Sequence, residues 1–276
     1  MSNQFVSSFV SLNKRQFKII VDKKSLIKKR KNYLLSEKYG SDKLQKLDWY
    51  KEGYKVIDVF NTKEHLTNKK IIRKNLKKIL KHPNDKIFNI DKYHKHVDDK
   101  KHLKVIKKTR ELNPKIFNKI KKKIFSKIYE EFKISFKKNK ILKKEIAILR
   151  LNRPGGQYDM NPPHRDGYLN YWSKSLNIWY MISGSYKTCA LPIIPKSHLI
   201  KENKLTLTRP FSKMNGVQYH VPTIIKINNK KKIYFKIPKI KPGQVLIFSP
   251  FLIHGFGYNF SPNLSRIALE LRPEIS

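Results

Sequence analysis

Between residues 145 and 272 the chain is a succession of short apolar segments, at 146–151, 176–182, 189–194, 221–227, 233–237, 245–248 and 265–271, parted by proline and glycine. Many short strands with turn chemistry between them build an all-β barrel or a two-sheet jelly roll. The first half has a different rhythm. Gly53-Tyr54-Lys55-Val56-Ile57-Asp58-Val59-Phe60 is a glycine followed by a β-rich alternating stretch, after which Asn61 or Thr62 caps a helix reaching about Leu80. Residues 83–115 read as charged loop. Over 116–137 the apolar residues Phe117, Ile120, Ile124, Phe125, Ile128 and Phe132 recur at helical spacing, an amphipathic helix that packs on something flat.

The expected organisation is therefore mainly β with flanking α-helices. Residues 1–47 form a basic polar leader with short helices, and 48–276 form a single domain with helical support over 62–142 and a β-core over 145–272. At 276 residues and 39% hydrophobic content the chain can bury a core. The opening residues lack the apolar run of a signal peptide, and no stretch approaches the eighteen or so apolar residues of a membrane span. A soluble, cytoplasmic protein is the expectation.

A formal charge of +42 suggests a polyanion partner. Its distribution argues otherwise, because the excess is +27 over residues 1–142 and +15 over 143–276. Lysine outnumbers arginine 52 to 10, the signature of an AT-rich coding sequence. A groove that grips phosphate bidentately would favour arginine. No specific nucleic acid is expected, and a small-molecule substrate, an anionic one included, fits better. The sequence does not specify an oligomeric state.

With Cys189 as the one cysteine, a metal site must use histidine and carboxylate. In Asn161-Pro162-Pro163-His164-Arg165-Asp166-Gly167-Tyr168 the histidine and aspartate are two apart where a strand can begin, and on a strand such residues share a face. The spacing alone is weak, since His96-Val97-Asp98 repeats it in a lysine-rich stretch that reads as solvated surface. Ninety residues later, Val245-Leu246-Ile247-Phe248-Ser249-Pro250-Phe251-Leu252-Ile253-His254-Gly255 delivers a histidine at the end of an apolar run, where an unpaired imidazole costs about 1–3 kcal/mol and metal ligation supplies a partner. Arg266 follows on an alternating strand, sharing a face with Ala268 and Glu270. Two histidines and a carboxylate leave three positions open on iron(II), enough for a bidentate 2-oxo acid and dioxygen, with the arginine fork on the acid's far carboxylate.

At these residues the chain resembles the phytanoyl-CoA dioxygenase family of iron(II)- and 2-oxoglutarate-dependent oxygenases. The resemblance rests on Gly53-Tyr54-Lys55-Val56-Ile57-Asp58, on His164-x-Asp166, on Cys189-Ala190-Leu191-Pro192-Ile193-Ile194-Pro195-Lys196-Ser197-His198, and on His254 and Arg266, and it spans roughly residues 48–276. It implies a double-stranded β-helix of jelly-roll or cupin-like type. It also implies Fe(II) on His164, Asp166 and His254, Arg266 on the 2-oxoglutarate carboxylate, and O2 as oxidant. Lys196 stands where the family usually has glycine, and Phe256 where a small hydroxyl residue often assists the co-substrate. Asp166 itself favours hydroxylation, since related halogenases replace that carboxylate with a small residue. The rival reading is a cupin-like domain that binds metal or isomerises without consuming oxygen.

Arg150, Asn152, Gln157 and Tyr158 lie on or after a strand aimed at the pocket, and Gln157 is the further candidate for binding co-substrate or substrate. Tyr168, Tyr171, Trp172 and Trp179 could line the cavity, with core the better reading for Trp179. His198 and His220 are the weaker third ligands: one falls in a turn, the other lacks an arginine at useful spacing.

Overall fold

The computed structural model describes residues 4–81, 88–138, 141–142, 147–156, 159–185 and 187–276. In chain order its elements are β1 (Phe5–Leu12), β2 (Arg15–Asp22), β3 (Tyr54–Asp58), α1 (Thr62–Leu80), α2 (Asp99–Arg110), α3 (Asn118–Phe132), β4 (Phe136–Lys137), β5 (Ala147–Asn152), β6 (Asn177–Ser183), β7 (Leu205–Leu207), β8 (Lys213–Met214), β9 (Val217–Gln218), β10 (Ile224–Ile227), β11 (Lys232–Tyr234), β12 (Gln244–Phe248), β13 (Arg266–Leu271) and β14 (Glu274–Ile275). A five-stranded antiparallel sheet has the order β3-β12-β6-β13-β5. A second, in the order β11-β1-β2-β8-β9, stands apart from it, and β7 pairs with β10. Because no strand is shared between the sheets, the core is a jelly roll of the double-stranded β-helix type rather than a closed barrel.

Period-two alternation decides what each face of the first sheet meets. On β6, Ile178, Tyr180 and Ile182 point outward into a cluster with Ile72 and Leu76 of α1 and Ile120, Ile124 and Ile128 of α3. The intervening Trp179 and Met181 point inward with Leu246, Phe248 and Ala268. The three isoleucines of α3, four apart, are fully buried, and each such burial contributes about 1.5–3 kcal/mol. Asn61 caps α1 in a reciprocal capping box with Glu64, and His65 and Asn68 on its buried face reach the Tyr180 hydroxyl at 2.8 and 3.3 Å. Among the described residues no helix is long and apolar enough to cross a membrane.

Four expectations need correction. Residues 5–22 are not polar leader with short helices: they form the β1–β2 hairpin, and β1 also pairs in parallel with β11. The stretch read as charged loop contains α2, while residues 82–87 lie outside the described residues. The Asp98 of the decoy motif is its N-cap, accepting from Lys101 N at 2.6 Å. Residues 189–194 form no regular strand, because Pro192 and Pro195 restrict pairing to bridges at Ile193. His164 likewise lies in a single bridge, to His254, and Asp166 opens a 3-10 turn.

Lys196 holds the left-handed conformation that glycine would occupy without strain (φ 63°, ψ 1°). Lys196→Gly is therefore expected to stabilise the fold by about 1 kcal/mol, read as a higher urea midpoint at constant slope.

Candidate metal centre

His164 and His254 face each other as a hydrogen-bonded antiparallel pair, each amide N–H donating to the other's carbonyl at 3.0 Å. This single bridge sets two imidazoles side by side, ring centroids 4.3 Å apart. The segment carrying His254 runs between two cores: Leu252 packs with the inner face of the first sheet, Ile253 and Phe256 with the second. Arg165 is extended (φ −117°, ψ 132°), so His164 and Asp166 keep the common side expected of alternate residues even without a regular strand. Arg165 points the other way into a fully buried clamp with Glu202, at 2.6 Å.

The ring nitrogens are assigned by their neighbours. His164 Nδ1 lies 2.7 Å from Pro162 O and His254 Nδ1 3.0 Å from Leu252 O; both contacts require Nδ1–H, which leaves each Nε2 lone pair free. His164 Nε2 sits 3.4 Å from Asp166 Oδ1 and His254 Nε2 3.7 Å from Asp166 Oδ2. One ligand atom from each of the three residues lies within 4.8 Å of the others, and all three residues are buried. Asp166 Oδ1 has no hydrogen-bond partner among the described residues. Burial alone would raise the Asp166 carboxyl, but the Arg272 guanidinium and the two imidazoles outweigh it and hold it well below the usual carboxylate range. Burial, with His164 alongside, pushes His254 down to about 4. An ionised carboxylate beside a neutral imidazole is what a cation requires of its ligands, and two nitrogens with one oxygen on one side of an ion match the facial set of a non-haem iron(II) site.

Arg266, 4% exposed, lies in the same cavity as both histidines. Its Nε donates to Asn152 Oδ1 at 3.1 Å, a second nitrogen reaches the same oxygen, and Nη1 donates to Cys189 O at 3.1 Å. Among the described residues no carboxylate pairs with it. Gly255 and Gly257 shape this corner. A Cβ on Gly255, whose φ is +118°, would come within 2.3 Å of Pro162 O, and one on Gly257 within 2.6 Å of Arg266 Nη1. Phe256 between them turns away, packing edge-on against Phe17 of β2 at 5.2 Å. The hydroxyl expected at that position is thus replaced by an aromatic that anchors the N-terminal hairpin, and the cavity side is left to the two glycines.

The structure brings His164, Asp166, His254 and Arg266 together. Gln157 and Tyr158 lie outside the described residues. His198 is buried against the Tyr50 ring at 4.6 Å and His220 lies against Phe211 at 5.0 Å; neither joins the cluster. Trp179 is core, as expected. Arg272 was missed: its Nε donates to Asp166 Oδ2 at 2.6 Å. The signal was available, because Arg272 continues the i, i+2 series of Arg266, Ala268 and Glu270, but the apolar pattern stops at Leu271.

The family profile described as phytanoyl-CoA dioxygenase (PhyH) matches residues 45–268. The chain belongs to this family, and so to the iron(II)- and 2-oxoglutarate-dependent oxygenases. No curated protein sequence matches the chain significantly. Among solved structures, EvdO2 from Micromonospora carbonacea var. aurantiaca is similar at 13% identity over 85% of this chain and 92% of its own, with a TM-score of 0.45. EctD from S. alaskensis, solved with 2-oxoglutarate and 5-hydroxyectoine, is similar at 13% identity over 84% of this chain and 76% of its own, TM-score 0.43. The carbocyclase SnoK of nogalamycin biosynthesis is similar at 12% identity over 82% and 81%, TM-score 0.41.

Proposed function

We propose that this oxygenase hydroxylates a small-molecule or lipid- or sugar-linked metabolite. In this reading His164 Nε2, Asp166 Oδ1 and His254 Nε2 hold iron(II), and Arg266 holds the far carboxylate of 2-oxoglutarate. The catalytic domain is residues 48–276, its second sheet completed by the β1–β2 hairpin. One observation carries the reading: His164, Asp166 and His254 offer ligand atoms within 4.8 Å of one another, and both histidines share a cavity with buried Arg266, which has no carboxylate partner among the described residues. A buried charge left unpaired is costly, by several kcal/mol, and a dicarboxylate co-substrate neutralises it.

Bound at the three ligands, iron(II) supplies the redox chemistry that couples oxidative decarboxylation of 2-oxoglutarate by O2 to oxidation of a substrate C–H bond. The residues do the rest by holding still. The Nδ1–H tethers to Pro162 and Leu252 fix both rings. Asn152 and the Cys189 carbonyl aim the Arg266 fork. The Phe248 ring, edge-on to His254 at 4.8 Å, excludes water from one side of the ligand set. Asp166 remains a carboxylate, which keeps the third position for a protein ligand rather than a halide.

The test is succinate formation and O2 uptake by iron-loaded protein with 2-oxoglutarate, first in the uncoupled reaction and then across a metabolite panel. The absence of both from folded, iron-loaded protein would favour the cupin-like alternative. Gly257→Ala is expected to push Arg266 aside and raise the 2-oxoglutarate requirement about tenfold, equivalent to about 1.4 kcal/mol, with iron affinity unchanged. The KM for 2-oxoglutarate and an iron titration check the two halves separately.

A further inference from the structure

Arg272 is 4% exposed and closes one side of the metal-ligand cluster. Arginine and carboxylate frequently meet through two parallel hydrogen bonds, and here they do not. The Arg272 fork is split: Nε donates to Asp166 Oδ2 at 2.6 Å, while Nη1 donates to Glu270 Oε2 at 3.1 Å. Arg150 Nε donates to that same Glu270 oxygen at 2.9 Å. The face of the guanidinium lies over the Trp172 ring, 4.4 Å from its centroid. Two acidic partners in the guanidinium plane and an indole on its face leave the group one orientation. Asp166 is thereby hydrogen-bonded to Arg272 through Oδ2, which also lies 3.7 Å from His254 Nε2, while Oδ1, 3.4 Å from His164 Nε2, has no hydrogen-bond partner among the described residues.

We infer that Arg272 is a positioning residue that makes Asp166 a one-oxygen ligand, reserving Oδ1 for the metal and keeping Oδ2 off it. The inference rests on the metal-site reading above and adds to it what sets the number of positions the protein occupies. A carboxylate free of Arg272 could swing both oxygens onto the ion and occupy a position that co-substrate or dioxygen needs. A guanidinium on Oδ2 also draws charge from the carboxylate, so Asp166 binds less tightly than an unpaired aspartate but in a fixed direction. Glu270 and Arg150 keep the guanidinium from rotating, and Trp172, six residues beyond Asp166, ties it to the loop that carries the ligand.

The test is a Co(II) titration of the full chain, with visible absorption before and after 2-oxoglutarate, on wild type, Arg272→Met and Arg272→Lys. In Arg272→Met the Co(II) bands are expected to change in intensity and position as Asp166 takes up a second contact, and the Co(II) Kd to shift at least threefold. Arg272→Lys keeps the charge but not the fork and is expected to fall between the two. An Arg272→Met protein with wild-type Co(II) spectrum and affinity overturns the inference while leaving the metal site intact, whereas folded wild type that binds no Co(II) overturns the metal-site reading itself. If Arg272→Met loses its near-ultraviolet circular dichroism, Arg272→Lys decides: altered bands support the assignment and wild-type bands overturn it.

Discussion

His254→Ala is expected to abolish 2-oxoglutarate turnover and to weaken iron binding at least a hundredfold, beyond the 10–100-fold that loss of a supporting partner costs a metal site. The imidazole supplies one of three protein ligands, and among the described residues no other histidine, cysteine or carboxylate joins that cluster. The backbone bridge survives the substitution, so the fold is expected to persist and the loss to be one of chemistry. Succinate formation, together with the iron content of protein desalted after loading, separates these effects. Retained turnover with wild-type iron content would remove His254 from the ligand set.

Arg266→Ala is expected to leave iron binding intact and to weaken 2-oxoglutarate binding by about 2–5 kcal/mol, the usual cost of truncating one partner of a buried, hydrogen-bonded charge pair. That corresponds to roughly 30- to several-thousand-fold in Kd, measured by anaerobic titration of the iron-loaded protein. Monocarboxylate 2-oxo acids, which have no far carboxylate to lose, should bind wild type and variant nearly alike. A variant with wild-type affinity for 2-oxoglutarate would show that the Arg266 charge serves only Asn152 and Cys189.

The parts of the site that were legible in the sequence are those whose chemistry conflicts with their surroundings. A histidine ending the apolar run to His254 and an arginine inside an alternating strand both need partners, and order and spacing suggest which. Arg272 escaped notice because it follows the last apolar residue of its strand, where a charged side chain ordinarily marks an exit to solvent. The β1–β2 hairpin was missed for a conformational reason. Its turn places Asn13 and Lys14 at φ 48° and 64°, a geometry usually announced by Asn-Gly, and with lysine in the second place the signal disappears. Helix α2 was missed because its inner face uses His102 and Thr109 beside Val105, giving the hydrophobic period too few apolar points. His102 is inward because it pairs with Asp159 at 3.1 Å, and Tyr93 contacts its other nitrogen at 2.9 Å. Such a tertiary bond leaves no trace in local pattern. The helices α1 and α3 were legible because their buried positions are mostly aliphatic.

The most direct test of the central claim is anaerobic visible absorption of the purified protein on adding Fe(II) and then 2-oxoglutarate, with Asp166→Ala and Arg266→Ala alongside. A weak charge-transfer band that needs both additions, disappears in Asp166→Ala and demands far more 2-oxoglutarate in Arg266→Ala is the predicted result. Folded, iron-loaded protein that gives no band at saturating 2-oxoglutarate would contradict the account.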